Sequence, residues 1–262
     1  MLPKPKHLSV EYAAQFQDAA VIAAYPTRPP YPAGVFVAVT ELVTSEPRRV
    51  LDVGCGTGDV ARRLAPLVGH VDAIDVSAGM IALGKTVPGG HAPNLRWIVG
   101  AAEDAPLAPP YALVTAGESL HWMEWQVVLP RLRAALMPGG YLAIVERGEA
   151  AAPWRDGLLA LMVRFSTNRD FQPYDLIAEL ETRGLFTAVG RRTVGPIPYA
   201  QPVDAYIESL HSRNGFSRDR MAPAAAAELD AALRALLEPH ASDGQLQLAL
   251  SAKIAWGLPA PH

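Results

Sequence analysis

The stretch "VLDVGCGTGDVARRL" (50–64) decides the fold of this chain. It opens with a short apolar run, passes through glycines at 54, 56 and 58, and closes on an amphipathic run. The pattern predicts a buried strand over 48–54, a tight loop, and a helix over 59–68 with Asp59 in its first turn. Glycines let a ligand approach the backbone closely. Two acids frame the loop. Asp52 lies two residues before Gly54, and Asp75 ends the next apolar run, 21 residues after it. A carboxylate at that second position can accept hydrogen bonds from both hydroxyls of a ribose. The nicotinamide dinucleotide fingerprint needs glycine at 59. Asp59 stands there instead, a negative charge where a pyrophosphate would bind. A cationic or zwitterionic ligand fits better. The chain also lacks any Tyr-x-x-x-Lys pair, which removes the usual short-chain dehydrogenase base.

Outward from the loop, strand and helix patterns alternate. "HVDAIDV" (70–76) reads as a strand and 77–87 as a helix capped by Ser77. Strands are predicted over 94–101 and 111–117, a helix over 125–137, and a strand over 141–147 after "PGG". Buried strands alternating with helices give an α/β fold, a doubly wound, mostly parallel sheet. Before this core, a helix over 10–24 and another over 33–43 flank "YPTRPPYP" (25–32), whose four prolines forbid helix and strand. After Arg147 the rhythm changes. A helix and loop over 153–172 precede a helix over 174–184 and a strand over 186–199. Helices near 203–213 and 223–238 then separate that strand from a last one over 244–257, entered through the "DG" turn. The expected organisation is one domain: an N-terminal flap (1–43), a cofactor-binding core (44–147), and a C-terminal half (148–262) carrying a helical lid at 203–238.

With 262 residues, half of them hydrophobic, the chain is long enough to bury a large core. A net charge of −3 and scattered arginines argue against nucleic acid and anionic membranes as partners. Cys55 is the single cysteine, so no internal disulfide forms, which suits a reducing, cytoplasmic setting. No run has the length of a membrane span, and the first residues lack a secretory apolar segment. The seven histidines show no pair at metal-ligand spacing, so no metal site is expected. "APPY" (108–111) is similar to an amino-methyltransferase motif, but it begins with Ala108 and precedes its strand. It is read as a turn.

"VLDVGCGTGDVARRL", "AIDVSAGMIALGK" (73–85), "GAAEDAPL" (100–107) and "ALMPGGYLAIVER" (135–147) resemble the successive motifs of class I S-adenosylmethionine-dependent methyltransferases. "YPTRPPYP", "SLHWM" (119–123) and "HSRNGFSR" (211–218) resemble the type 11 branch, small-molecule enzymes related to trans-aconitate methyltransferase. The resemblance implies a seven-stranded sheet of order 3-2-1-4-5-7-6 with the seventh strand antiparallel. It implies S-adenosylmethionine as methyl donor, S-adenosylhomocysteine as product and a small organic acceptor. Position by position, it gives the amino-acid end of the cofactor to Asp52 and to the backbone of Gly54, Gly56 and Gly58. Asp75 takes the ribose, Val76 and Met80 pack near the adenine, and Ala102 and Glu103 reach its edge, ahead of Asp104. Gly117 and Glu118 line the methionine arm. Tyr25, Arg28 and Tyr31 close the pocket.

The stretch "ESLHWMEW" (118–125) then falls at the carboxyl end of the fourth strand, on the acceptor side. His121 is a candidate base or positioner of the acceptor. Glu118, three residues earlier, can orient its ring if both face the pocket. Trp122 is a pocket wall, and Trp125 reads as core. Met80 serves equally well as a core residue. A methyltransferase-like protein that binds the cofactor without transfer is the alternative.

Overall fold

The computed structural model describes residues 3–150 and 152–261. Their strands are β1 (Arg49–Val53), β2 (His70–Asp75), β3 (Leu95–Val99), β4 (Tyr111–Gly117), β5 (Leu136–Glu149), β6 (Phe186–Pro202) and β7 (Gln245–Pro259). They form one sheet of order β3-β2-β1-β4-β5-β7-β6. β1 to β5 pair in parallel, and β7 runs antiparallel to both β5 and β6. The order and direction are those implied by the resemblance. The order reverses between β1 and β4, and open α/β sheets bind ligands in the crevice at such a switch point.

The N-terminal segment holds α1 (Val10–Ala13), α2 (Ala19–Ala24) and α3 (Gly34–Thr40). Between the strands lie α4 (Ala61–Leu64), α5 (Ala78–Thr86) and α6 (Trp125–Ala135), followed by α7 (Arg155–Phe165), α8 (Leu176–Thr182), α9 (Val203–His211) and α10 (Pro223–Leu237). Successive strand side chains point to opposite faces. Val114 joins a core with Leu129 of α6 and Leu180 of α8. Its neighbour Leu113 joins another with Val39 of α3 and Leu64 of α4. A third core gathers α7, α9, α10 and the first residues of β7, through Leu158, Tyr206, Leu233 and Leu248. The helices over 203–238 therefore do not cap the sheet alone, because α7 packs with them.

Several boundaries differ from the sequence expectation. The helix over 10–24 breaks at Asp18, whose extended backbone separates a 3₁₀ turn from α2. The Asp18 carboxylate instead accepts from Ser217 Oγ at 2.8 Å and Arg220 Nε at 2.6 Å. The helix over 59–68 is regular only across α4 and then tightens into a 3₁₀ turn containing Pro66, which has no N–H to give. "PGG" does not separate helix from strand. β5 begins at Leu136 and runs through it, with the register slipping opposite Tyr111 and Leu113. Asp243 and Gly244 do form the expected turn, both with positive φ.

Candidate functional site

Two loops meet at the switch point. The one after β1 has Gly54 at φ +63, and a Cβ there would lie 2.5 Å from Ser119 Cβ in the loop after β4. Gly58, at φ +75, would collide with the Trp97 ring at 2.4 Å. Conformation and close packing both require glycine at these positions.

A cavity of about 430 Å³ opens over this crevice. Of the residues that the resemblance assigns to the cofactor, Gly54, Gly56, Asp75, Val76, Met80, Ala102 and Glu103 line it. Asp75 Oδ2 accepts the Gly56 N–H at 2.7 Å, and Oδ1 accepts the Ser77 N–H at 2.8 Å. Burial raises its pKa, and these two N–H donors pull the other way. Each carboxylate oxygen retains a second lone pair for a ligand. Met80 is both core and wall, 1% exposed, with Ser77 capping its helix through the Met80 N–H at 3.2 Å. Glu103 has a structural engagement too: its Oε1 accepts the Glu124 N–H at 2.7 Å, at the start of α6.

Asp52 and Gly117 line a separate small space beside the loop, with Tyr25, Tyr31 and Arg147. Asp52 Oδ1 accepts from Thr115 Oγ1 at 2.7 Å and Oδ2 from the Ala61 N–H at 3.2 Å. The carboxylate thus holds the start of α4 under the loop. Burial outweighs those two bonds and pushes its pKa up to about 7. Tyr25 lines the first cavity: its hydroxyl stands 3.3 Å from where a Gly56 Cβ would be, and it does not line the second cavity, described next.

That second cavity, about 460 Å³, adjoins the first. Phe16, Arg28, Glu118 and Trp122 line both. Arg28 Nε donates to Ser212 Oγ at 2.7 Å, and its guanidinium lies 4.2 Å from the Tyr25 ring centre. His121 faces this cavity and a smaller one beyond it with Glu146 and Tyr174. Its ring packs on Trp122, centroids 4.7 Å apart. The expectation that Glu118 orients His121 is not met. Glu118 Oε1 accepts the Arg147 N–H at 2.6 Å instead. Glu118 also sits at φ +54, a left-handed conformation uncommon outside glycine and found where structure is over-determined. Burial, then the charges of Lys4, Arg28 and His7, lower the His121 pKa to about 3. The ring is neutral at physiological pH. Trp125 is core, with Nε1 donating to Leu120 O at 2.9 Å.

The sequence reading missed Arg147, Phe16, Ser119 and Met123. Arg147 ends the regular apolar run of β5 on the carboxyl side of the sheet, so the switch-point rule carried a signal for it. Phe16 carried none, because its position depends on how the N-terminal segment folds back. The "HSRNGFSR" stretch anchors that segment: Gly215 N–H donates to Gln15 Oε1 at 3.0 Å, and Asn214 Nδ2 to Tyr12 O at 2.8 Å. "APPY" is irregular chain leading into β4 rather than a turn, its Tyr111 hydroxyl donating to Asp72 at 2.6 Å. Cys55 is buried. Among the described residues no cluster suits a metal ion, and no helix is long and apolar enough to cross a membrane.

A family model described as "Methyltransferase domain" matches residues 50–140. Malonyl-[acyl-carrier protein] O-methyltransferase of Halalkalibacterium halodurans is 32% identical over 104 residues, 37% of this chain and 38% of that one. Trans-aconitate 2-methyltransferase of Delftia acidovorans is 34% identical over 111 residues, 38% of each chain. The chain thus matches less than two fifths of the length of these curated relatives. A solved structure from Anaeromyxobacter dehalogenans, named as a type II methyltransferase, superposes with a TM-score of 0.63 at 26% identity, covering 90% of this chain and 99% of that one. The [4+2]-cyclase SpnF shares the fold at 19% identity, with a TM-score of 0.58 and coverage of 100% and 99%. Residues 50–140 thus match a methyltransferase domain, and the strand order and the glycine loop with its two acids are similar to those of class I S-adenosylmethionine-dependent methyltransferases.

Proposed function

We propose that the protein moves the methyl group of S-adenosylmethionine to a small organic acceptor, as an enzyme of the type 11 branch. The observation that carries this reading is the pair of adjoining cavities sharing Phe16, Arg28, Glu118 and Trp122 as common walls. The first suits the cofactor by size and by its motif residues; the second leaves room for an acceptor next to it.

Bound S-adenosylmethionine supplies an electrophilic methyl on a sulfonium sulfur. Asp75 accepts hydrogen bonds from the ribose. Val76, Met80 and Ala102 offer the base an apolar slot, and Glu103 lies at its edge. The loop from Gly54 to Gly58 and Gly117, with the Asp52 carboxyl behind them, suit an α-amino acid end. The protein's contribution to rate is alignment and exclusion of water, and positioning of this kind is worth roughly 7 to 11 kcal/mol. The flap over 1–43, with α7, α9 and α10, serves as the closure over the crevice. His121, neutral, positions the acceptor. A cytoplasmic setting fits a reduced Cys55.

SpnF shares this fold, and fold alone does not fix a reaction. Binding without transfer is therefore the second reading. Titration calorimetry with S-adenosylhomocysteine, beside a nicotinamide dinucleotide, tests the cofactor assignment. The expected affinity is micromolar, about −8 kcal/mol. Heat with the dinucleotide alone would overturn it. Transfer of labelled methyl to any member of an acceptor panel separates the two readings.

A further inference from the structure

We infer that the acceptor is an amphipathic organic anion: a carboxylate held where the two cavities meet, with an apolar arm of medium alkyl or aryl size reaching toward α7 and α9. The inference rests on the methyl-transfer reading and names its substrate class.

The acceptor cavity is cationic although the chain is not. Arg28, Arg147, Arg155 and Arg213 line it against Glu118 and Glu149, an excess of two positive charges, whereas the whole chain carries −3. Two of these arginines, Arg147 and Arg213, are incompletely matched. Arg147 gives one terminal nitrogen to Asp59 at 2.6 Å, while its buried Nε has no hydrogen-bond partner. Arg213 reaches Glu149 only at 3.5 Å. Arg28 belongs to both cavities, so a guanidinium stands beside the path of the methyl group. There it repels an ammonium acceptor and attracts an anion. Arginine also offers the planar pair of donors that suits a carboxylate. Glu118, the acid at the junction, is already engaged by the Arg147 N–H.

The other end of the cavity is apolar. Trp154, Leu158, Leu159, Met162, Tyr206 and Leu250 wall it, and most belong to the third core. A compact polyacid would leave these walls bare; an alkyl or aryl arm covers them. A carboxylate is also a nucleophile without further deprotonation. One carboxylate oxygen forms the new O–CH₃ bond as the C–S bond breaks, the electron pair of that bond staying on sulfur. The products are a methyl ester and neutral S-adenosylhomocysteine, and no proton is transferred.

The test uses the full chain, methyl-labelled S-adenosylmethionine and acceptors of equal chain length: octanoate, octylamine and octanol. Labelled methyl octanoate is expected, with kcat/KM at least 100-fold above the other two. From butanoate to octanoate, kcat/KM is expected to rise about fourfold per methylene. Faster transfer to octylamine or octanol, or equal rates for butanoate and octanoate, overturns the inference. So does the absence of any octanoate-induced thermal shift in the S-adenosylhomocysteine complex. Failure to bind S-adenosylhomocysteine at all sinks the underlying methyl-transfer reading instead. Arg213→Gln is expected to raise the octanoate KM about tenfold with the S-adenosylhomocysteine Kd unchanged; an unchanged KM removes the arginines from recognition.

Discussion

The Glu118 carboxylate accepts the backbone N–H of Arg147 at 2.6 Å, tying the end of β4 to β5 where the two cavities meet. The bond holds a non-glycine residue at φ +54. Glu118→Ala removes the tie but keeps the backbone cost. It is expected to lower stability by about 2 kcal/mol, the range for hydrogen bonds to charged groups. Glu118→Gly removes the tie and relieves the backbone, so its loss should be smaller. Denaturant unfolding of both variants checks this; equal losses would show that the left-handed conformation carries no cost.

Asp75 joins the loop to β2 and faces the cofactor cavity at once. Asp75→Ala is expected to weaken S-adenosylhomocysteine binding by about 2 kcal/mol or more, from hydrogen bonds to a charged acceptor less solvent competition. Loss of the Gly56 and Ser77 bonds should lower the melting temperature as well. Calorimetry on the folded variant reads the first effect. An unchanged dissociation constant would mean that the ribose is held elsewhere.

The local sequence carried the first four strands because they are short and separated by clear stops. The "HVDAIDV" run and the Ser77 cap coincide with β2 and the start of α5 to within a residue or two. It did not carry what depends on distant partners. Asp18 breaks a periodic helix pattern because Ser217 and Arg220, two hundred residues on, hold its carboxylate. The place of Asp75 at the crevice was legible because it ends the strand that follows the glycine loop. The orientation of Glu118 was not, because the competing donor is a backbone N–H on a neighbouring strand, which no side-chain pattern announces. The third core escaped for the same reason, since α7 joins α9 and α10 across a long stretch of chain.

Asp52 and His121 give opposing pH dependences. The Asp52 pKa is raised to about 7, so from the ordinary carboxylate value near 4 up to 7 the folded protein holds a proton that the unfolded chain has lost. Its contribution is complete at low pH and is lost as pH rises through 7. His121 is lowered to about 3, so the unfolded chain takes up a proton below about 6.5 that the folded protein refuses. Its contribution is present above that value and is lost as pH falls toward 3. Asp52→Asn removes the first effect alone. The melting temperature of the variant relative to wild type should therefore climb between pH 5 and 8. Parallel profiles would place the Asp52 pKa in the normal range.

His121 is the residue whose role the structure changes most. As a base it must accept the acceptor's proton and become a cation among Lys4, Arg28 and His7, in a wall that disfavours its charge. General bases work best with a pKa near the working pH, and a value of about 3 lies far below it. A neutral imidazole can still donate one hydrogen bond, and the ring already packs at a tilt against Trp122 at the wall shared by both cavities. His121→Gln keeps a donor of similar reach and should retain kcat within about threefold. His121→Ala should mainly raise KM, by about tenfold, the worth of one ordinary hydrogen bond. Neither variant should change the pH profile of kcat between 6 and 9. A fall in kcat of ~10²–10⁴-fold in both variants, recovering as pH rises toward the pKa of the acceptor, would restore His121 as the base.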